Sequence, residues 1–217
     1  MNGLLEIYDN LLNAYGPRHW WPAQTPFEMM VGAILTQNTT WMNVEKAIRN
    51  FGEHLSPQFI ASASHDELGQ IIRPSGYYNQ KAIKLKALTE WFKRYSYDVE
   101  KAMLMEGQFL RSELLAVKGV GCETADSILL YALNKPFFVV DTYTKRILFR
   151  LGFDIPNTYD GLRLRIEASI PQDIYLYNEF HALIVEHAKH HCKKNPSCKA
   201  CPVEALCKKK PFPLSHD

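Results

Sequence analysis

Four of the five cysteines fall within sixteen positions, spaced Cys192-x5-Cys198-x2-Cys201-x5-Cys207. Four thiolates in one short loop are a donor set for zinc or for an iron–sulfur cubane. Common zinc ribbons separate two Cys-x2-Cys pairs, which is not the order here, and His190 and His191 beside the loop leave both metals open. The fifth cysteine, Cys122, reads as a small buried hydrophobe. A second chemical feature is Asp141, which follows four apolar residues, Phe137-Phe138-Val139-Val140. It is placed to cap a helix starting near Thr142. A carboxylate emerging from an apolar wall also suits chemistry on a developing cation, such as the oxocarbenium character of a sugar losing its N-glycosidic substituent. The third is Lys118-Gly119-Val120-Gly121, two glycines around one apolar residue between two helical stretches. Glycine permits positive φ and close backbone approach. A helix starting after Gly121 offers free N–H groups and a dipole to an anion such as a phosphate. An ordinary glycine-capped corner is the competing reading.

Nearly every element that must position these residues has helical periodicity. Phe27 to Thr36 predicts a buried helix, followed by helices over Val44 to Phe51, His65 to Ile72 and Lys81 to Tyr95. In Lys81 to Tyr95, Leu85, Leu88, Trp91, Phe92 and Tyr95 form an apolar stripe. Ser112 to Val117 and Thr124 to Leu133 flank the glycines. Thr142 to Leu151 and Tyr175 to His190 complete the set. Phe137 to Val140 is the only strong β-like run. An all-α chain is expected, with no internal repeat and no low-complexity linker.

The 217 residues suffice for one large or two small domains, and 47% hydrophobic with 22% charged residues is ordinary globular composition. No apolar run approaches the roughly 18 residues of a membrane span, and the start lacks the basic and apolar blocks of a signal peptide. A cytoplasmic protein with no membrane association is expected. From Lys189 to Asp217 there are seven lysines and two acids, so this tail carries +5 of a net charge of +2. Such a tail is either a phosphate-facing surface or a solvated one.

Hairpin, aspartate and terminal cysteine loop, in that order, resemble the endonuclease III superfamily of helix-hairpin-helix DNA glycosylases over nearly the whole chain. Trp20-Trp21-Pro22, Leu35-Thr36-Gln37-Asn38-Thr39, Arg73-Pro74-Ser75-Gly76-Tyr77-Tyr78-Asn79-Gln80-Lys81-Ala82 and Lys118 to Asp126 are similar to the bacterial 3-methyladenine DNA glycosylase branch. The resemblance implies a two-domain fold. Residues 24–132 would form a six-helix barrel with the hairpin, and 1–23 with 133–217 a second helical domain ending in a [4Fe-4S] loop. The cysteine loop of the superfamily is usually Cys-x6-Cys-x2-Cys-x5-Cys, and here the first gap is one residue shorter. Members of the 3-methyladenine branch can lack the cluster, so this chain would combine their pocket with the superfamily's metal group.

The resemblance also implies roles. Asp141 is the essential carboxylate. Bifunctional members carry a nucleophilic lysine two positions after the second hairpin glycine, where this chain has Glu123. A carboxylate forms no Schiff base. Release of the base by water, without strand cleavage, is therefore expected. Gln37 and Tyr77 match residues that enter the duplex when a base is flipped out. Trp20 and Trp41 match two aromatic faces of an alkylpurine pocket, with Trp21, Pro22 and Lys189 as further lining. A cationic methylated purine would gain from such stacking. Lys118, Gly119, Val120 and Gly121 would hold a lesion-strand phosphate, and Cys192, Cys198, Cys201 and Cys207 a [4Fe-4S] cluster. The expected partner is double-stranded DNA with damaged bases, bound by a nucleoid-associated monomer. Alternatives are a uracil, mismatched-thymine or bifunctional glycosylase, and a non-catalytic damage-binding protein.

Overall fold

The structure, a computed structural model, describes residues 1–20 and 23–212. Among these the regular structure is entirely helical. In chain order the α-helices are α1 (Leu4–Tyr15), α2 (Pro26–Leu35), α3 (Trp41–Phe51), α4 (Pro57–Ser62), α5 (His65–Ile71), α6 (Tyr78–Lys93), α7 (Val99–Met103), α8 (Gly107–Ala116), α9 (Cys122–Ser127), α10 (Thr142–Leu151), α11 (Tyr159–Glu167) and α12 (Ile174–His190). Helix α9 continues into a π turn, Ile128–Ala132, and 3-10 turns lie at Gly52–His54, Arg73–Ser75 and Glu204–Leu206. The chain divides into two compact units, Trp21–Lys135 and a terminal unit of Met1–Trp20 with Pro136–Asp217.

In the Trp21–Lys135 unit, α2 is the central helix. The Thr25 side chain accepts from the Glu28 N–H and Pro26 occupies the first turn, a strong start signal. All its residues except Pro26 and Glu28 are buried. Each fully buried large apolar side chain contributes about 1.5–3 kcal/mol. Helix α2 packs on α6 and on the π turn. Helix α6 begins three residues earlier than its apolar stripe suggests, immediately after Tyr77, whose left-handed φ of 47° breaks the chain direction. Helices α8 and α9 are clamped by a buried ion pair, with Arg111 Nε 2.6 Å from Asp126 Oδ1 and Nη2 3.3 Å from Oδ2.

In the terminal unit, α12 packs against both α1 and α10. Phe138 meets Tyr177 and Phe180 edge-on, and Tyr8 meets Phe180. The β-like run Phe137 to Val140 is buried, but no strand pairs with it among the described residues. Side chains of α11 stand in for a strand: the Phe138 N–H donates to Glu167 Oε1 at 2.9 Å and the Val140 N–H to the Tyr159 hydroxyl at 3.3 Å. Helices α4, α7 and α11 lie outside the segments whose apolar periodicity predicted a helix. Each is started by a polar cap: Ser56 accepts from Phe59, Asp98 from Glu100 and Thr158 from Gly161.

Candidate functional site

The hairpin joins α8 to α9. Gly119 has φ +86°, and a Cβ there would lie 2.4 Å from Lys84 Cγ, so the position demands glycine for both backbone and space. Val120 is buried and its N–H closes the turn on the Val117 carbonyl at 3.1 Å. Gly121, the residue before α9, faces open space and has no side chain with which to cap the helix. Lys118 and Glu123 are exposed on either side of the turn.

Gln37, in the loop after α2, is tied to the hairpin. Its Nε2 donates to the Gly119 carbonyl and to Thr124 Oγ1, both at 3.0 Å, and Lys84 Nζ donates to its Oε1 at 2.5 Å. Tyr77 is 71% exposed at the N-terminus of α6. Trp41 opens α3, donates from Nε1 to Glu45 Oε1 at 2.9 Å and lies against Gly32. Lys84, which joins Gln37 to the hairpin, carries no motif signal, since an amphipathic helix routinely carries lysines.

In the terminal unit, Asp141 caps α10. Its Oδ1 accepts from the Thr144 N–H at 2.7 Å and from the Thr144 hydroxyl at 2.8 Å. Its Oδ2 lies 3.6 Å from His181 Nε2, with the two side chains 14% and 7% exposed. Burial pushes the carboxyl upward. The imidazole and the two Thr144 donors outweigh that and hold it below the usual 3.8, so it is ionised at neutral pH. The Trp20 ring sits 5.6 Å from His181, tilted by 40°. Sequence reasoning missed His181, although a histidine on the otherwise apolar face of α12 is a detectable signal. Lys189 is exposed in the last turn of α12. Trp21 and Pro22 lie outside the described residues.

The four C-terminal cysteines line one cavity of about 260 Å³, with apolar groups such as Ile147, Leu151, Val203 and Phe212 and basic ones such as Arg150, Lys194 and Lys209 completing its wall. Arg150 organises it: Nη1 donates to Cys192 Sγ at 3.3 Å and to the Lys193 carbonyl at 2.6 Å, and Nη2 to the Lys194 carbonyl at 2.9 Å. Arg146 Nε holds the Cys192 carbonyl at 2.8 Å. The Lys209 N–H points at Cys207 Sγ, and His187 Nε2 lies 3.8 Å from Cys201 Sγ. Burial, with the neighbouring sulfurs, raises the Cys201 and Cys207 thiols above their usual range. Among the described residues no three His, Cys, Asp or Glu side chains form a group that could hold a single metal ion. No described helix is long and apolar enough to cross a membrane.

Residues 31–172 match the HhH-GPD superfamily base excision DNA repair protein family. The chain is 46% identical over 209 residues to the "Putative DNA repair glycosylase MJ1434" of Methanocaldococcus jannaschii, covering 94% of this chain and 95% of that one. It is 30% identical to endonuclease III of Thermotoga maritima over 84% of this chain and 82% of that one. Among solved structures, the H. pylori 3-methyladenine DNA glycosylase bound to 1,N6-ethenoadenine aligns at TM-score 0.73 and 34% identity, over 86% of this chain and 97% of that one. A non-covalent endonuclease III–DNA complex aligns at 0.81 and 25% identity, over 96% and 97%.

Proposed function

The chain belongs to the HhH-GPD superfamily of base excision DNA repair proteins and is a DNA glycosylase, and we propose that it is a monofunctional one acting, as a monomer on duplex DNA, on alkylated purines such as 3-methyladenine. The observation that carries this reading is Asp141, a carboxylate kept ionised at the mouth of an apolar run while Glu123 stands at the hairpin position of the lyase lysine. The 34% identity to the H. pylori 3-methyladenine enzyme supports the lesion class.

As the N-glycosidic bond breaks, positive charge develops on the sugar and the Asp141 carboxylate stabilises it. The same carboxylate orients the attacking water or takes its proton. An N-alkylated purine is a good leaving group, so no separate acid on the base is needed. Trp20 supplies a face on which a cationic base stacks, with a cation–π contribution. Trp41 is a second aromatic surface, and Lys189 is further lining. The amides of Gly119 and Gly121, with Lys118, hold a phosphate without reading sequence, while the Val120 amide stays on the Val117 carbonyl and keeps the turn closed, and Gln37 and Tyr77 enter the duplex. DNA insertion requires Gln37 to exchange its bonds to Lys84 and Gly119 for bonds to DNA.

We further propose that Cys192, Cys198, Cys201 and Cys207 hold a [4Fe-4S] cluster. Four sulfurs around one cavity with a mixed apolar and basic wall, two of them approached by the Arg150 guanidinium or a backbone N–H, are a fitting donor set. When bound, the cluster would order the C-terminal loop and its lysines; the hydrolysis belongs to Asp141.

The deciding experiment is base release from DNAs carrying 3-methyladenine, 7-methylguanine, uracil and thymine glycol. Faster release of 3-methyladenine is expected. Faster release of uracil or thymine glycol overturns the lesion class and leaves the glycosylase assignment standing.

A further inference from the structure

Lys81 is 1% exposed, and its Nζ donates to the Leu35 carbonyl at 2.8 Å and to the Ser75 carbonyl at 2.6 Å. Leu35 ends α2 and Ser75 ends the 3-10 turn before α6, where carbonyls lack helical partners. Each carbonyl leads directly into a loop containing a non-glycine residue in the left-handed region, Asn38 at φ 53° and Tyr77 at φ 47°. L side chains rarely adopt that conformation, and it persists where the surroundings impose it. The first loop carries Gln37 and the second carries Tyr77, the two residues assigned to enter the duplex. Burial and the nearby Lys84 lower the Lys81 amine to about 8, so an ammonium here is costly to keep. Nothing in the glycosidic chemistry uses it.

We infer that Lys81 is a positioning residue: one buried amine straps the Gln37 loop to the Tyr77 loop and sets their spacing before DNA arrives. The functional half of this inference rests on the insertion roles proposed for Gln37 and Tyr77. Loops already held in their working geometry lose less freedom on binding, which speeds base extrusion.

The test compares full-length wild type with Lys81→Met, which keeps length but removes donor and charge, and Lys81→Gln, which keeps an amide donor of shorter reach. Amide hydrogen exchange needs no substrate. In Lys81→Met it should rise about tenfold or more in both segments 36–40 and 75–78, less in Lys81→Gln, with the interiors of α2 and α6 unchanged. A rise in only one loop, or in neither, overturns the strap. The second readout is single-turnover release of 3-methyladenine from DNA methylated in vitro, as native duplex and as separated strands. Loss of about ten- to a hundredfold on duplex with little change on single strands is expected. Equal loss on both shows a merely structural lysine. Gln37→Ala and Tyr77→Ala run alongside. If they spare duplex release, the insertion reading fails, while hydrogen exchange still decides the strap. If Lys81→Met does not fold, Lys81→Gln carries both measurements.

Discussion

At the scale of single residues, Asp141 does two things at once. Oδ1 is committed to capping α10 through Thr144, while Oδ2 faces His181, beside which Trp20 lies. Asp141→Asn keeps the size and the cap but loses the charge. Base release should fall by about 10²–10³-fold, with abasic-DNA affinity nearly unchanged; a near-normal rate would make Asp141 only a cap. The His181 imidazole and the two Thr144 donors hold the carboxyl below its usual value. The acid limb of the wild-type rate profile should therefore lie below the ordinary carboxylate range of 3.8. Trp20→Ala and Trp41→Ala, tested separately, should each lose roughly 1–3 kcal/mol of stacking, about ten- to a hundredfold in 3-methyladenine release. Binding to an abasic-site mimic should hardly change. Equal weakening on abasic and alkylated DNA would mark a purely structural tryptophan.

At the scale of elements, the hairpin and α6 act together. Gly119→Ala places a Cβ in the left-handed region and against the Lys84 stem that reaches Gln37. The backbone penalty is about 1–2 kcal/mol, a few degrees in Tm, and DNA affinity should fall with it. Unchanged Tm and affinity would mean that the turn relaxes freely. Lys81 makes a pH prediction. Its folded value is about 8 against 10.5 in the unfolded chain, so between these values the unfolded chain binds more protons. Stability should then rise with pH above 8, by at most about 1.4 kcal/mol per unit. In cluster-free protein the raised Cys201 and Cys207 thiols oppose this from about pH 9, the unfolded chain being the first to lose those protons. The window for measurement is pH 8 to 9, where denaturant titration of Lys81→Met should show a flatter pH dependence than wild type.

At the scale of the whole molecule, the proposed reaction ends at an abasic site. Borohydride added during turnover should trap no covalent protein–DNA adduct, since Glu123 cannot form an imine and Lys118 precedes the turn; efficient trapping would make the enzyme bifunctional. Anaerobically purified protein should contain roughly four irons per chain with matching sulfide and a broad visible absorption. Zinc alone in the same preparation would replace the cluster with a different metal.

The sequence by itself determined what is encoded locally. The four cysteines are drawn to one cavity because they lie in one loop. Gly119 marks the turn because its left-handed backbone and the Lys84 stem beside it suit only glycine, whereas Gly121 is extended and faces open space. Asp141 caps α10 because the residue three positions on supplies the N–H. Apolar periodicity located α2 and α6, but not α4, α7 and α11, each of which is started by a polar cap. Tertiary structure alone decided that His181 faces Asp141, that Arg150 grips Cys192 from 42 positions away, and that the Gln37 amide rests on Gly119 from 82 away. It also decided that Lys81, which shares the helix face of Leu85 and Leu88, is buried with its amine bridging two loops. Periodicity says which face of a helix leaves water. The partner of a buried polar group is set by the elements that meet there, because the cost of desolvating it is met only by specific donors and acceptors brought in from distant parts of the chain.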